Sequence, residues 1–218
     1  MMGRLLPPPA MTLTLYGAAR SRASMVRWYL EEKEIPYAFV QLDLKSGEHR
    51  QEPFTTINPF GKVPALVDDA LVGPHGGALN LFESGAILFH LAESYGKEFH
   101  PDGPGGGEGA TARRALTTQW LLFANASLGP AMFQLESNPE DIARQLATVD
   151  GLLACGPHLL AGAWGDPGWG AADCVVQSYL AYIPLFCPQL DLSPYPAVKA
   201  TIEATRNRPH YQKAMGAL

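Results

Sequence analysis

The run Asn58-Pro59-Phe60-Gly61-Lys62-Val63-Pro64-Ala65-Leu66-Val67, answered by Leu81-Phe82-Glu83-Ser84-Gly85-Ala86-Ile87, decides the fold of this chain. Pro64 lies between a turn and the apolar run Ala65 to Val67, so it stands at the start of a strand, where its missing N–H breaks no ladder bond. Val63 is then exposed as backbone. A cis bond to Pro64, accessible to X-Pro at such a corner, turns the Val63 N–H and C=O outward to pair with an extended peptide. The short strand Ala78 to Phe82 leads through Glu83-Ser84 into the helical spacing of Ile87, Leu88, Leu91 and Tyr95. Ser84 is the expected N-cap. The free N–H groups beside it suit a carboxylate, and the carboxylate of Glu83 next to them completes a pair of opposite polarity. A free amino-acid end, carrying both an ammonium and a carboxylate, fits such a pair.

Both segments, in this order and at this separation, resemble the thioredoxin-like domain of the cytosolic glutathione transferases. The resemblance implies a fold of two parts: an α+β thioredoxin-like domain, with a mixed sheet and flanking helices, followed by an all-α helical-bundle domain. It implies that Val63 and Pro64 present backbone to the cysteinyl part of glutathione, that Lys62 lies along the same tripeptide, and that Glu83 and Ser84 hold the γ-glutamyl end. Phe60, at the loop tip, occupies the place from which several classes insert an aromatic side chain into a partner subunit, so a homodimer is expected. The implied activity is conjugation of the glutathione thiolate to a small hydrophobic electrophile, with glutathione as co-substrate and no other cofactor. The alternative is a binding or scaffold protein that keeps the fold without turnover.

Composition narrows the field independently. With 218 residues and 47% hydrophobic content, the chain is long enough for two small cores. A formal charge of −5, without a basic cluster, argues against nucleic acid, and no apolar run reaches the length of a membrane span. The cysteines are Cys155, Cys174 and Cys187, at no metal-ligand spacing. Neither a metal site nor a disulfide framework is expected, and a reducing, cytoplasmic setting is. No cysteine precedes Cys155, which excludes thiol–disulfide exchange through a cysteine of the first domain. Residues 1–10, with Pro7-Pro8-Pro9, read as a disordered tail without an apolar leader.

The first domain is expected over 11–96, a Gly- and Pro-rich linker over 97–109 and the helical domain over 110–218. Thr12 to Tyr16 alternates as a strand, a helix follows from about Arg22 to Lys33, and Tyr37 to Leu42 is the next strand. His49-Arg50, in the loop after it, corresponds to a basic pair that in similar classes approaches the glycyl carboxylate; both also read as solvated loop residues. The hairpin from Asp68 to Ala78 is expected to be a flexible surface excursion. Helices are expected over Ala110 to Ser127, Pro139 to Cys155, Ala172 to Leu185 and Pro194 to Thr205, with a short one near Tyr211. Trp120 and Phe123, on the first of these, are candidates for the wall of the electrophile pocket, although their spacing also fits core. Asn125-Ala126-Ser127 matches a glycosylation sequon inside a helix and is read as unused. Gly170 stands where the family has a Ser or Thr cap, so the capping box with Asp173 is half built and Asp173 is a fold residue.

Transferase chemistry needs an ionised thiol. A free thiol has a pKa of roughly 8.5, so holding it as thiolate at neutral pH takes roughly 3 kcal/mol, about what one hydrogen bond to a charged group plus a helix N-terminus supply. The donor therefore belongs between the first strand and the first helix. By the resemblance, the serine position of phi-like classes falls on Ser21 counting forward from Tyr16-Gly17 and on Arg20 counting back from Leu30-Glu31-Glu32-Lys33, while Tyr16 ends the strand where tyrosine-type classes hold their phenol.

Overall fold

The computed structural model describes residues 12–100, 108–156, 158–160 and 168–215. The tail at 1–10 and most of the glycine-rich tract after His100 lie outside them. The first half is β1 (Leu13–Gly17), α1 (Ala23–Glu32), β2 (Ala38–Gln41), a 3-10 turn (Glu48–Arg50), α2 (Phe54–Ile57), β3 (Ala65–Val72), β4 (Ala78–Phe82) and α3 (Ser84–Ser94). The four strands form one mixed sheet in the order β2-β1-β3-β4, with β1 parallel to β2 and antiparallel to β3. This is the thioredoxin-like arrangement. Leu13 and Leu15 alternate into the core, and α1 buries every residue from Ala23 to Leu30 except Arg27. Gly17 is fixed by contact, because a Cβ there would collide with Ala23 as the chain turns into α1.

The hairpin departs from expectation. β3 continues to Val72, with a register irregularity between Asp68 and Val72, and only Gly73 to Gly77 turn. Asp68 is fully buried and accepts hydrogen bonds from His90 Nε2 (2.8 Å), the Tyr95 hydroxyl (2.8 Å) and the Ala70 N–H (3.0 Å). A residue that reads as the start of a loop is thus the polar tie between sheet and α3, and its side-chain partners His90 and Tyr95 lie too far along the chain for local pattern to show. His75 is exposed in the turn.

The second half is helical: α4 (Glu108–Phe123), α5 (Gly129–Phe133), α6 (Pro139–Leu153), α7 (Ala171–Phe186), α8 (Pro196–Arg206) and α9 (Pro209–Met215). α4 does not stop near Ser127. It passes through a π turn, Ala124–Leu128, into α5. Pro130 gives the reason: it brings no N–H to the ladder and its ring crowds the carbonyl four residues back, so the helix widens locally rather than continuing as α. α7 is buried from Ala171 to Ile183 and forms the axis of the bundle. α9 returns to the first half, where Trp28 meets Trp169 and Tyr211 at ring-centroid distances of 4.7 and 5.1 Å, and Arg208 pairs with Glu32.

The start of α7 confirms the half-built box and shows what fills the vacant half. Asp173 accepts the Gly170 N–H at 3.1 Å and reaches back to the Leu159 N–H at 2.7 Å. In place of a cap hydroxyl stands the carboxylate of Glu98, which accepts the Ala171 N–H (3.0 Å) and the Tyr29 hydroxyl (2.7 Å), with Lys33 Nζ at 3.8 Å. Burial holds the Glu98 carboxyl above its usual range against the pull of Lys33 and Tyr29, and pushes Asp173 up to about 6.

Candidate functional site

A cleft of ≈ 290 Å³ opens where the Asn58–Pro64 loop, the start of α3 and the start of α1 converge. The loop is built by Asn58, itself buried: its Nδ2 donates to the Lys62 carbonyl (2.7 Å) and its Oδ1 accepts the Phe60 N–H (3.1 Å). Gly61 turns the chain at φ +57, and a Cβ there would lie 2.8 Å from the His49 carbonyl oxygen. Both the angle and the close approach require glycine. The Val63–Pro64 bond is cis, and Lys62, Val63 and Pro64 line the cleft.

Glu83 and Ser84 form the opposite wall, with one correction. Ser84 is not the N-cap of α3 but its first residue, and Glu83 takes the cap position at φ 69, ψ 119 with no side-chain capping bond. The Ser84 hydroxyl instead donates across the molecule to Asn125 Oδ1 (3.1 Å), which also accepts the Tyr179 hydroxyl (3.1 Å). Asn125 donates its own Nδ2 to the Leu121 carbonyl at 2.9 Å. With its side chain engaged elsewhere, Ser84 lines the cleft at the start of α3, beside Glu83. The cleft therefore brings together the Val63 backbone, a helix start and a carboxylate.

The three thiol candidates lie differently. The Ser21 hydroxyl donates its one proton to the Ala18 carbonyl (2.7 Å) and accepts the Ala23 N–H (3.2 Å), closing the turn before α1. Arg20 is exposed at φ 56. Tyr16 packs against Phe54, with ring centroids 5.8 Å apart. None of the three lines the cleft; Arg22, the N-cap of α1, does. His49 and Arg50 sit behind Gly61 and outside the cleft lining. Trp120 and Phe123 pack edge to face on each other (5.6 Å), half-buried against the core and outside the lining of this cleft. Sequence reasoning missed Arg22, Asn58 and Asn125. Asn58 was legible as the first residue of its motif, whereas the other two depend on helix phase.

Among the described residues no group of three or more His, Cys, Asp or Glu is placed to hold a metal ion, and no helix is long and apolar enough to cross a membrane. Cys174 and Cys187 are buried and Cys155 is exposed.

A thioredoxin-like sheet with this cleft, followed by a helical bundle, defines the class. The family model of the glutathione S-transferase N-terminal domain matches residues 11–93. Over nearly the whole chain the protein is similar to the disulfide-bond oxidoreductase YfcG of Escherichia coli, at 31% identity over 213 residues covering 93% of this chain and 94% of the relative. Glutathione S-transferase 3 of Zea mays is 30% identical over 233 residues, covering 94% of each. Among solved structures, a glutathione transferase family member from Pseudomonas fluorescens with two glutathione bound superposes with a TM-score of 0.77 at 23% identity, covering 96% of this chain and 95% of that one. Ure2p in complex with glutathione gives 0.74 at 25%, covering 96% of each. The chain belongs to the cytosolic glutathione S-transferase family.

Proposed function

We propose that the protein is a glutathione transferase of the cytoplasm, joining the thiolate of glutathione to small hydrophobic electrophiles. The observation that supports this is the convergence of the Val63 backbone, the Glu83 carboxylate and the Ser84 helix end on one cleft. In the reaction, the sulfur lone pair forms a bond to the electrophilic carbon while the leaving group departs with its electron pair; the protein holds the tripeptide and keeps its thiol ionised. His49 and Arg50, close behind the loop, are proposed to reach the glycyl carboxylate, and Trp120 and Phe123 to form part of the electrophile's apolar surroundings. The test is retention on immobilised glutathione followed by turnover of an aryl halide. Retention without turnover of any electrophile would leave a binding or scaffold protein.

A second reading rests on YfcG, a relative called a disulfide-bond oxidoreductase. Bound glutathione would then reduce a small disulfide by thiolate attack, giving a mixed disulfide and then oxidised glutathione as a second glutathione enters. Turnover of a small dialkyl disulfide but of no aryl halide would favour it.

The assembly proposed is a C2 homodimer. Phe60 is 68% exposed and meets Phe82 edge to face at 5.3 Å. An apolar hollow of ≈ 390 Å³ lies between α3 and α4, lined by Gly85, Ala86, Phe89, Leu121 and Leu122. Phe60 of each copy is proposed to fill the hollow of the other. Burying a phenylalanine contributes roughly 1.5–3 kcal/mol, and symmetry counts it twice, so Phe60→Ala should weaken the dimer by roughly 10²- to 10⁴-fold in sedimentation. An unchanged dimer would reject the wedge.

A further inference from the structure

We propose that Asn125 is a positioning residue for glutathione: it accepts the hydrogen bond of the Ser84 hydroxyl, so that the carboxylate of the ligand's amino-acid end is met by main chain at the start of α3 and not by the serine side chain. The inference deepens the transferase reading and rests on it. It begins with the orientation of one amide. Asn125 Nδ2 lies 2.9 Å from the Leu121 carbonyl, which can only accept, so the amide nitrogen is fixed on that side. Oδ1 then faces the Ser84 and Tyr179 hydroxyls at 3.1 Å each, and an amide oxygen has no proton to give. Both hydroxyls must donate to it. Ser84 has one hydroxyl proton, and with that proton committed its side chain can no longer donate to a carboxylate in the cleft.

What remains at this wall for the carboxylate is backbone. α3 is 11 residues long, and the first N–H groups of a helix have no partner inside it. Their placement depends on how the start of α3 is held, and Asn125 holds it at two points. One is the hydrogen bond to Ser84. The other is the contact at Gly85, where a Cβ would lie 3.2 Å from Asn125 Nδ2, so the main chain of α3 comes up against the amide itself. Asn125 is in turn fixed from the helical domain. Tyr179 donates to the same oxygen, and its ring packs so closely on the α5 backbone that a Cβ at Gly129 would come within 2.7 Å of it. Asn125 thus joins Ser84, 41 residues away in the first domain, to Tyr179, 54 residues away in the second. The glutathione cleft is set from the helical domain through this one side chain.

The experiment is a double-substitution cycle on Ser84→Ala and Asn125→Leu, read by calorimetry with glutathione and by steady-state kinetics with an aryl halide. Each single change is expected to raise Kd and KM for glutathione by about 5- to 20-fold, the scale of one lost hydrogen bond. At saturating glutathione kcat should stay within about 2-fold, since neither change touches the thiol end of the cleft. The double variant should bind no more weakly than either single one, because both remove the same bond. Tyr179→Phe leaves Ser84 donating to Asn125 and should cost less than either. If Asn125→Leu does not fold, Asn125→Ala takes its place in the cycle. Ser84→Ala binding like wild type, losses that add in the double variant, or a fall in kcat matching the fall in affinity would each overturn the assignment. Weak binding in Ser84→Ala beside wild-type binding in Asn125→Leu would return the serine hydroxyl to direct contact with the ligand. Failure of wild type to bind glutathione would instead remove the transferase reading itself.

Discussion

Glu83→Gly is expected to bind glutathione about 10- to 100-fold more weakly than wild type while melting no lower. The two halves of this result come from different physics. Glu83 stands at φ 69 as the cap of α3, without a side-chain capping bond, and a non-glycine residue held there costs on the order of 1–3 kcal/mol. Glycine relieves that strain. Against it stand glycine's greater freedom in the unfolded chain, roughly 0.5–1 kcal/mol, and the loss of a carboxylate near a helix N-terminus, roughly 0.3–1 kcal/mol. The net effect on stability is near zero or favourable. Binding has no such compensation, because the ammonium of the ligand loses a charge-assisted hydrogen bond of roughly 1.5–3 kcal/mol. Glu83→Gln keeps the backbone strain and should lose affinity without any rise in melting temperature. Calorimetry and thermal melts on both variants test the argument, and unchanged affinity in Glu83→Gln with intact circular dichroism would remove Glu83 from the site.

The largest expected effect on stability comes from a substitution that restores a family feature. Gly170→Ser supplies the cap hydroxyl that the box at α7 lacks, a gain of roughly 1 kcal/mol on its own. Its Cβ, however, would lie 2.6 Å from Glu98 Oε2 and 3.0 Å from the carboxyl carbon. Displacing that buried carboxylate strands the Ala171 N–H and the Tyr29 hydroxyl, at roughly 1–3 kcal/mol each. A net loss of about 2–4 kcal/mol follows, lowering Tm by roughly 5–15 °C. The backbone gives no objection, since Gly170 sits at φ −143 in extended conformation. The whole penalty therefore resides in Glu98, and Glu98→Ala combined with Gly170→Ser should cost less than the two single changes added together. Equal melting of Gly170→Ser and wild type would refute this account.

How much was legible in the sequence depends on the range over which each residue acts. The thioredoxin-like half and the cleft walls were readable because Asn58–Pro64 and Glu83–Ser84 act through local backbone geometry, where residue type and spacing suffice. Arg22 was not, because Arg20, Ser21 and Arg22 are consecutive and the side chain that faces the cleft depends on where α1 begins. A one-residue change of helix onset turns a side chain by roughly 100°. Glu98 read as linker because its partners, Tyr29 and the start of α7, lie about 70 residues away on either side. Asp68 read as hairpin for the same reason. Ser84 read as a cap because Ser is the commoner cap residue, and only the positive φ of Glu83 shows that the position belongs to its neighbour.

The π turn between α4 and α5 works as a gearbox. An α-helix locks all its side chains to one angular frame, so a helix whose last turns face α6 would dictate where every earlier residue points. The wide turn at Ala124–Leu128 slips that frame by part of a revolution, letting α4 address α3 and α7 while α5 addresses α6, with independent headings. Asn125 sits in the slip itself, and so meets Ser84 on one side and Tyr179 on the other, two partners from different halves of the molecule. A single-residue change in the length of that turn would leave both helices intact and misalign everything they hold between them.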